Sequence, residues 1–187
     1  MRRLSNVIGI DDAPFVRSHR GDVPIIGVVT TRARVDGIVR SRVRRDGVNS
    51  TTRIAELVTE FKFAEHLQAV ILQGIALAGF NVVDIHGLHA ALQRPVLVVA
   101  RRKPRLAAIK RALLDHVPGG ARKWKLIQHA GPMEQVENVW VQRAGLNLDE
   151  AGQLIRTTRV HGALPEPLRM AHLIAGAYAD GCSRGRA

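Results

Sequence analysis

The chain has 187 residues, 46% of them hydrophobic, so it can bury a sizeable core and is most simply a single domain. It carries 28 Lys and Arg against 16 Asp and Glu, and the resulting net charge of +12 favours a polyanionic partner, above all nucleic acid. The single cysteine, Cys182, excludes an intramolecular disulfide and a multi-cysteine zinc site.

Two further expectations follow from composition. A coding bias towards Arg and Ala would produce the same excess of positive charge without any ligand, so charge alone does not decide the partner. No segment approaches the roughly 20 apolar residues that span a bilayer. We therefore expect a cytoplasmic protein with no membrane partner, and the sequence indicates no particular protein partner.

The first part of the chain has the alternating pattern of a β-meander. Residues 4–11 form a short apolar run, and residues 23–31 are rich in β-branched side chains. Asp36-Gly37 is a strong turn signal, and residues 38–45 predict a returning strand. On that strand Arg40, Arg42 and Arg44 share one face, which is typical either of a solvated edge strand or of a stripe that follows phosphates.

Beyond Gly47 the hydrophobic period becomes helical. Ile54, Leu57, Val58 and Phe61 indicate a helix for which Ser50 is a possible N-cap. The later pattern predicts buried strands at 69–72 and 95–100, helices at 82–92, 104–118, 148–158 and 167–178, and weaker strands at 124–128 and 139–142.

This order of elements predicts the fold class. Three strands joined by turns, followed by strand–helix alternation, indicate an α/β protein with a mixed sheet and helices on both faces. The order suits the ribonuclease H-like fold, and it would also suit other α/β folds. We expect one domain over residues 1–180 and a flexible basic tail over 181–187.

Asp11 is the first candidate for chemistry, because it ends the apolar run Val7-Ile8-Gly9-Ile10. A carboxylate there loses hydration unless a cation or hydrogen-bond donors lie nearby. It could hold a hard divalent cation, with Asp12 in support, or it could simply cap the turn into Ala13-Pro14.

Three segments together resemble the endonuclease V family and its relatives, the domain of unknown function 99 family. They are Gly9-Ile10-Asp11-Asp12, the stretch 145–151 (GLNLDEA) and the stretch 164–172 (LPEPLRMAH), in which two prolines bracket Glu166. The resemblance covers nearly the whole chain. It implies a ribonuclease H-like fold, with the first three strands antiparallel, and a nuclease that uses Mg²⁺ or Mn²⁺ to hydrolyse phosphodiesters of DNA or RNA.

The resemblance also implies roles for individual residues. Asp11 matches the first catalytic strand, Asp46 matches a strand-end catalytic acid, and Arg101 takes the place of a lysine that contacts phosphate. Gln73 stands where the family has a catalytic aspartate. The implied metal ligands are Asp11, Asp12 and Asp46, and Asp84 is a possible replacement ligand because it lies close in sequence to Gln73.

The expected nucleic-acid contacts are basic residues of the third strand, of the segment after the 95–100 strand and of the last helix, namely Arg40, Arg42, Arg44, Arg101, Arg102, Lys103, Arg169 and His172. Gln73 leaves two hypotheses open. A neutral amide offers only its carbonyl oxygen to Mg²⁺, so the chain is either a metal-dependent nuclease or a catalytically inactive nucleic-acid-binding protein on the same scaffold.

Overall fold

The computed structural model describes residues 4–62 and 64–183, and its centre is a seven-stranded sheet in the order β3-β2-β1-β4-β7-β9-β8. Its strands are β1 (Asn6–Asp12), β2 (Asp22–Thr31), β3 (Arg34–Arg44), β4 (Ala69–Gln73), β7 (Val96–Ala100), β8 (Glu134–Val136) and β9 (Val139–Ala144). A separate two-stranded ribbon pairs β5 (Ala76–Leu77) with β6 (Asn81–Val82).

Strand directions confirm the predicted mixed sheet. The first three strands are antiparallel neighbours, β4 and β7 run parallel to β1, and β9 and β8 continue as antiparallel strands. The parallel strands β1, β4 and β7 therefore end at the same edge of the sheet, where ligands of open α/β sheets usually bind.

Within the described part of the chain, six α-helices accompany the sheet: α1 (Ser50–Thr59), α2 (Ile85–Leu92), α3 (Leu106–His116), α4 (Gly120–His129), α5 (Leu148–Thr158) and α6 (Glu166–Asp180). Alternating residues of β1 face the two layers, as the pleat requires. Val7 packs in a cluster with Leu154 of α5 and Leu168 of α6, whereas Ile8 belongs to the cluster that contains Ile54 of α1 and Leu88 of α2.

Two predicted elements were wrong. The β2–β3 turn lies at Arg32, which has a φ of 56°, and Asp36-Gly37 lies inside β3, where the Asp36 carboxylate accepts hydrogen bonds from Thr31 and Arg34. Residues 124–128, predicted as a weak strand, belong to the helix α4, whose buried face includes Lys123 and Ile127.

The observed starts of two helices also differ from the predicted ones. Ser50 is the first residue of α1 and donates its hydroxyl to the carbonyl of Val82, while Asn49 occupies the N-cap position. The predicted 82–92 helix begins only at Ile85, because Asn81 and Val82 form β6 and Asp84 caps the helix.

At the C-terminus, α6 ends at Asp180 and Gly181 adopts the left-handed conformation at its cap. The predicted tail thus begins where the helix stops, and its residues 184–187 lie outside the described part of the chain. Among the described residues, no helix combines the length and the apolar character that a membrane crossing needs.

Candidate active site

The site is built at the ends of two neighbouring parallel strands. Ile10 of β1 pairs with Leu72 of β4, so the next residues, Asp11 and Gln73, lie side by side on the same face of the sheet. Two residues that the resemblance matches to catalytic positions therefore occupy adjacent strand ends.

Helix α6 lies over this face and supplies a histidine to Asp11. His172 Nδ1 lies 2.8 Å from Asp11 Oδ2, and the Asp11 side chain is only 6% exposed. Burial raises the pKa of Asp11 above its ordinary value, although the bond with His172 opposes this shift. The same bond raises the pKa of His172, which favours an imidazolium paired with a carboxylate.

A glycine allows α6 to approach β1 this closely. A Cβ on Gly9 would lie 2.5 Å from both the backbone N of Leu168 and the carbonyl carbon of Pro167. Because the obstructing atoms are backbone, no side-chain rotation would relieve the overlap. Gly9 lies two residues before Asp11 on the same face, so this contact sets the position of the helix that carries His172.

The Pro-Glu-Pro segment fixes the same end of α6. Glu166 is buried, and its two carboxylate oxygens accept from Arg169 Nε at 2.9 Å and from Arg169 Nη2 at 2.5 Å. The Arg169 hydrogen bond holds the pKa of Glu166 below its ordinary value. Arg169, predicted as a nucleic-acid contact, therefore has a bidentate structural partner.

Asp12 is the last residue of β1, one position beyond Asp11, and it also lines the cleft at this strand end. Its carboxylate accepts a 2.9 Å hydrogen bond from the backbone N–H of Ala78, and its own N–H donates to Asp11 Oδ1 at 3.0 Å. Burial, followed by the nearby charge of Asp11, raises the pKa of Asp12 to about 6. Two adjacent carboxyl groups thus share a poorly hydrated strand end.

Asp11, Asp12, Gln73 and His172 all line one cleft of about 510 Å³, which also receives Phe15 and the second half of α6. Gln73 Oε1 is buried and has no hydrogen-bond partner among the described residues. A buried carbonyl oxygen without a donor is uncommon and unfavourable, so this atom requires an explanation.

The side chains that line this cleft suit a hard divalent cation. Two carboxylates and an amide oxygen are the donors that Mg²⁺ and Mn²⁺ prefer, and a cation would compensate the burial of both acids. Within residues 4–62 and 64–183, no group of three or more His, Cys, Asp or Glu side chains is arranged to hold a metal. The oxygens that could hold a cation in this cleft are those of Asp11, Asp12 and the Gln73 amide.

The predicted phosphate contacts fall into two groups around the cleft. Arg101 follows β7 and lies close enough for its charge to act against protonation of His172. Arg102 and Lys103 are exposed on the same segment, where Lys103 Nζ lies 4.8 Å from the centre of the Trp140 ring.

The other group is the arginine face of β3. Arg40 pairs with Ile26 of β2, and Ile26 pairs with Asp11, so these three residues form one row on the α6 face. The spacing of strands puts Arg40 about 10 Å from Asp11, measured between Cα atoms. Arg40 contacts the Tyr178 hydroxyl at the end of α6, and Arg42 and Arg44 continue the exposed stripe past the cleft.

Asp46 has contacts different from its predicted metal-ligand role. Its Oδ1 accepts from the Phe80 N–H at 2.8 Å, its Oδ2 lies 3.2 Å from Arg45 Nε, and Asp46 is absent from the residues that line the cleft. Asp12 and Asp46 therefore hold the same β5–β6 turn from two sides. The sequence could not show this, because the direction of the Asp46 carboxylate depends on that unpredicted ribbon.

Asp84 also lies away from the Asp11 cleft. It is the N-cap of α2 and accepts a 2.9 Å hydrogen bond from Gly87 N–H, beside a separate cavity that contains Lys123. Lys123 is 2% exposed and donates to the backbone oxygen of Asp46. Sequence reasoning missed this lysine because it placed a strand, rather than the amphipathic helix α4, over the following residues.

Similar proteins agree with this architecture. A UPF0215 protein of Deinococcus radiodurans is 59% identical over 98% of this chain and 94% of its own length. The crystal structure of a protein of unknown function from Archaeoglobus fulgidus superposes with a TM-score of 0.86 and 32% identity, covering 92% of this chain and 97% of that one.

More distant structures identify the fold. Ciona intestinalis endonuclease V, crystallised with a 24mer DNA that contains an inosine followed by a ribo-adenosine, has a TM-score of 0.56 and 16% identity over 89% of this chain and 82% of that chain. The ribonuclease H-like fold is therefore confirmed. The family model described as endonuclease dU matches residues 3–179, and the chain belongs to that nuclease-like family.

Proposed function

We propose that this protein is a divalent-metal-dependent endonuclease that cleaves nucleic-acid strands containing deoxyuridine. The family description supports the reaction and the base. The observation that carries the proposal is the buried, unpartnered oxygen of Gln73 beside Asp11 and Asp12 in one cleft at the ends of parallel strands.

Asp11, Asp12 and Gln73 would hold Mg²⁺ or Mn²⁺. When bound there, the ion supplies Lewis-acid polarisation of a phosphodiester and a lower pKa for water. Gln73 contributes no charge, so we expect weaker metal binding than a third carboxylate would give.

His172 and Arg101 would act on the phosphate. Because His172 Nδ1 is committed to Asp11, the other ring nitrogen, Nε2, is the atom that can exchange a proton in the cleft. Arg101 adds positive charge near His172, and a guanidinium stabilises the extra negative charge that develops on a phosphate under attack.

The exposed arginines of β3 would contact the phosphates of the nucleic-acid strand. Arg40 lies in the same row as Asp11, and Arg42 and Arg44 follow it on the same face. These residues, together with the net charge of +12, suit a polyanion that crosses the sheet towards the cleft. A related fold binds DNA in the Ciona endonuclease V structure.

The alternative is a nucleic-acid-binding protein without catalysis, and Gln73 is the observation that favours it. Titration calorimetry with Mn²⁺ separates the two, followed by cleavage assays on oligonucleotides that differ only by deoxyuridine in place of thymidine. The nuclease proposal expects Mn²⁺ uptake and cleavage by the wild type, and loss of both in Asp11→Asn. Nucleic-acid binding without metal uptake or cleavage would establish the alternative.

Gln73→Asp sharpens this test. A third carboxylate should raise Mn²⁺ affinity about tenfold or more and increase cleavage. Without metal it should lower the melting temperature, because another negative charge joins Asp11 and Asp12 in a poorly hydrated cleft. Mn²⁺ should then reverse the loss, since it binds only the folded protein.

The matched control is Gln135→Asp, which adds the same charge on the exposed position of β8. If Gln73→Asp melts like this control with and without Mn²⁺, Gln73 does not face a metal site.

A further inference from the structure

A cavity distinct from the Asp11 cleft and from the Lys123 cavity lies on the other side of the β4 strand end. It has a volume of about 250 Å³, and its lining is largely apolar, with Gly74, Phe80, Leu106, Ile109, Met133 and Gln142 among the contributing residues. Gly74 directly follows Gln73, so consecutive residues contact the cleft and this cavity, and their Cα atoms are about 3.8 Å apart.

Gln142 is the polar side chain of β9 that faces this cavity, and it is 3% exposed. Its Nε2 donates a 2.6 Å hydrogen bond to the carbonyl of Gly131. Only the amino nitrogen of the amide can donate to a carbonyl, so this bond fixes the amide orientation. The carbonyl oxygen Oε1 is then the atom available to a ligand inside the cavity.

We propose that this cavity receives the uracil of the target strand and that Gln142 Oε1 accepts the hydrogen of its N3–H. The proposal rests on the proposed function for its nucleic-acid substrate. Uracil has a ring N–H at the position where cytosine has an unprotonated nitrogen. A fixed carbonyl oxygen therefore attracts the first base and repels the second.

The shape of the cavity agrees with this occupant. Phe80, Leu106 and Ile109 offer apolar surfaces to the faces of a flat ring, and a single polar group selects its edge. Gly74 has a φ of +78°, and among the described residues no atom beyond its chain neighbours lies within 4 Å of where its Cβ would be. The backbone between this cavity and the cleft is therefore not covered by packed side chains at Gly74.

The test measures binding without divalent metal, so it does not depend on cleavage. Fluorescence anisotropy compares single strands that carry one central uracil, hypoxanthine or cytosine. For the wild type we expect at least about tenfold tighter binding of the uracil strand than of the cytosine strand. Hypoxanthine, which also presents a ring N–H, should bind more tightly than cytosine.

Gln142→Leu should remove this selectivity, because the uracil strand loses a hydrogen-bond acceptor and the cytosine strand loses a repulsive contact. Gln135→Leu, on the exposed side of the neighbouring strand β8, is the control and should keep the selectivity. Equal selectivity in Gln142→Leu and the wild type would overturn the proposal, as would a wild type that does not distinguish uracil from cytosine.

A second variant keeps the proposal testable if Gln142→Leu does not fold. Leu106, 38% exposed at the cavity, can be replaced by Trp to fill the space. Leu106→Trp should lose the uracil preference and retain the Mn²⁺ uptake of the wild type. Retained uracil preference in this variant contradicts the base-binding role. Failure of the wild type to cleave deoxyuridine strands, with base-selective binding intact, would count against the nuclease proposal only.

Discussion

Two regions of this protein hold aspartates at the same edge of the sheet, and they differ in what their oxygens contact. Asp46 and Asp84 accept hydrogen bonds from the backbone N–H groups of Phe80 and Gly87, so they fix a turn and a helix start. Asp11 instead contacts a half-buried histidine, beside a glutamine oxygen that has no partner among the described residues.

The comparison shows how to separate structural acids from chemical ones. A carboxylate whose lone pairs meet backbone donors already has the compensation that burial requires. Asp11 and Asp12 also accept backbone hydrogen bonds, but the Gln73 oxygen beside them has no partner among the described residues, and a cation would supply one. By this criterion the site lies at the strand ends that carry Asp11 and Gln73, and Asp46 and Asp84 support the loops around it.

The largest effect is expected from Gly9→Ala, which should disturb the Asp11 site and leave the Asp46 site intact. The new methyl group overlaps the backbone of Pro167 and Leu168, so α6 must move away from β1. We expect the free energy of unfolding to fall by about 3 kcal/mol or more. Cleavage should fall with it because His172 leaves Asp11, while the Asp46–Phe80 contact stays in place. Chemical denaturation and a cleavage assay measure the two effects.

Gly152→Ala is the matched control, because Gly152 is also buried, but in the middle of α5. Its added Cβ would meet the tip of the Arg156 side chain at 3.2 Å and Val136 Cγ1 at 3.4 Å, and the arginine can move. Alanine favours helix by up to about 1 kcal/mol over glycine, so this variant should be neutral or more stable. Similar losses in both variants would contradict the special role of Gly9.

The next largest effect is expected from Glu166→Gln, which breaks the ion pair at the start of α6. The loss at pH 7 should be about 2 kcal/mol, because a buried carboxylate loses two charged hydrogen bonds to a partly exposed arginine. Since Arg169 lowers the pKa of folded Glu166, the pair stabilises the protein fully at neutral pH. That contribution disappears as pH falls below about 4.3, the ordinary pKa, and through the lower folded pKa.

Urea denaturation of the wild type and Glu166→Gln from pH 7 down to about pH 3 measures this difference, which should shrink with acid. Glu56→Gln is the control, because Arg53 and Glu56 form a pair with the same i,i+3 spacing at 2.8 Å on an exposed surface. It should lose less than about 0.5 kcal/mol. Equal losses in the two variants would show that burial adds nothing at Glu166.

The sequence predicted the strands and helices whose patterns are local. The apolar run of β1, the β-branched run of β2 and the helical period of α5 are strong signals, and adjacent strand ends bring Asp11 to Gln73. Asp36-Gly37 misled because the same residues can form a turn or lie in a strand. Here Asp36 accepts a hydrogen bond from the Thr31 hydroxyl of β2 and Gly37 pairs with Val29, so both residues lie in the strand.

The direction of polar side chains depends on contacts distant in sequence, and this limited the prediction of the site. Asp46 meets a turn 34 residues later, and Gln142 is oriented by Gly131, 11 residues earlier, before β8. Lys123 was hidden because the apolar residues around Trp124 suit a short strand as well as a helix. The contacts of such residues can be assigned only when the fold places their distant partners beside them.

The smallest effect is expected from Asp84→Asn, and this variant sharpens the comparison most directly. Asparagine caps a helix as well as aspartate does, because its carbonyl oxygen can accept the same hydrogen bond from Gly87. A structural cap therefore predicts a change in unfolding free energy below about 0.5 kcal/mol and unchanged Mn²⁺ uptake. If Asp84 is instead a metal ligand, Mn²⁺ uptake should fall, because the substitution removes a negatively charged ligand. Titration calorimetry with Mn²⁺ on Asp84→Asn, with Asp11→Asn measured for comparison, distinguishes these outcomes. A clear loss of Mn²⁺ uptake in Asp84→Asn would show that Asp84 is a metal ligand.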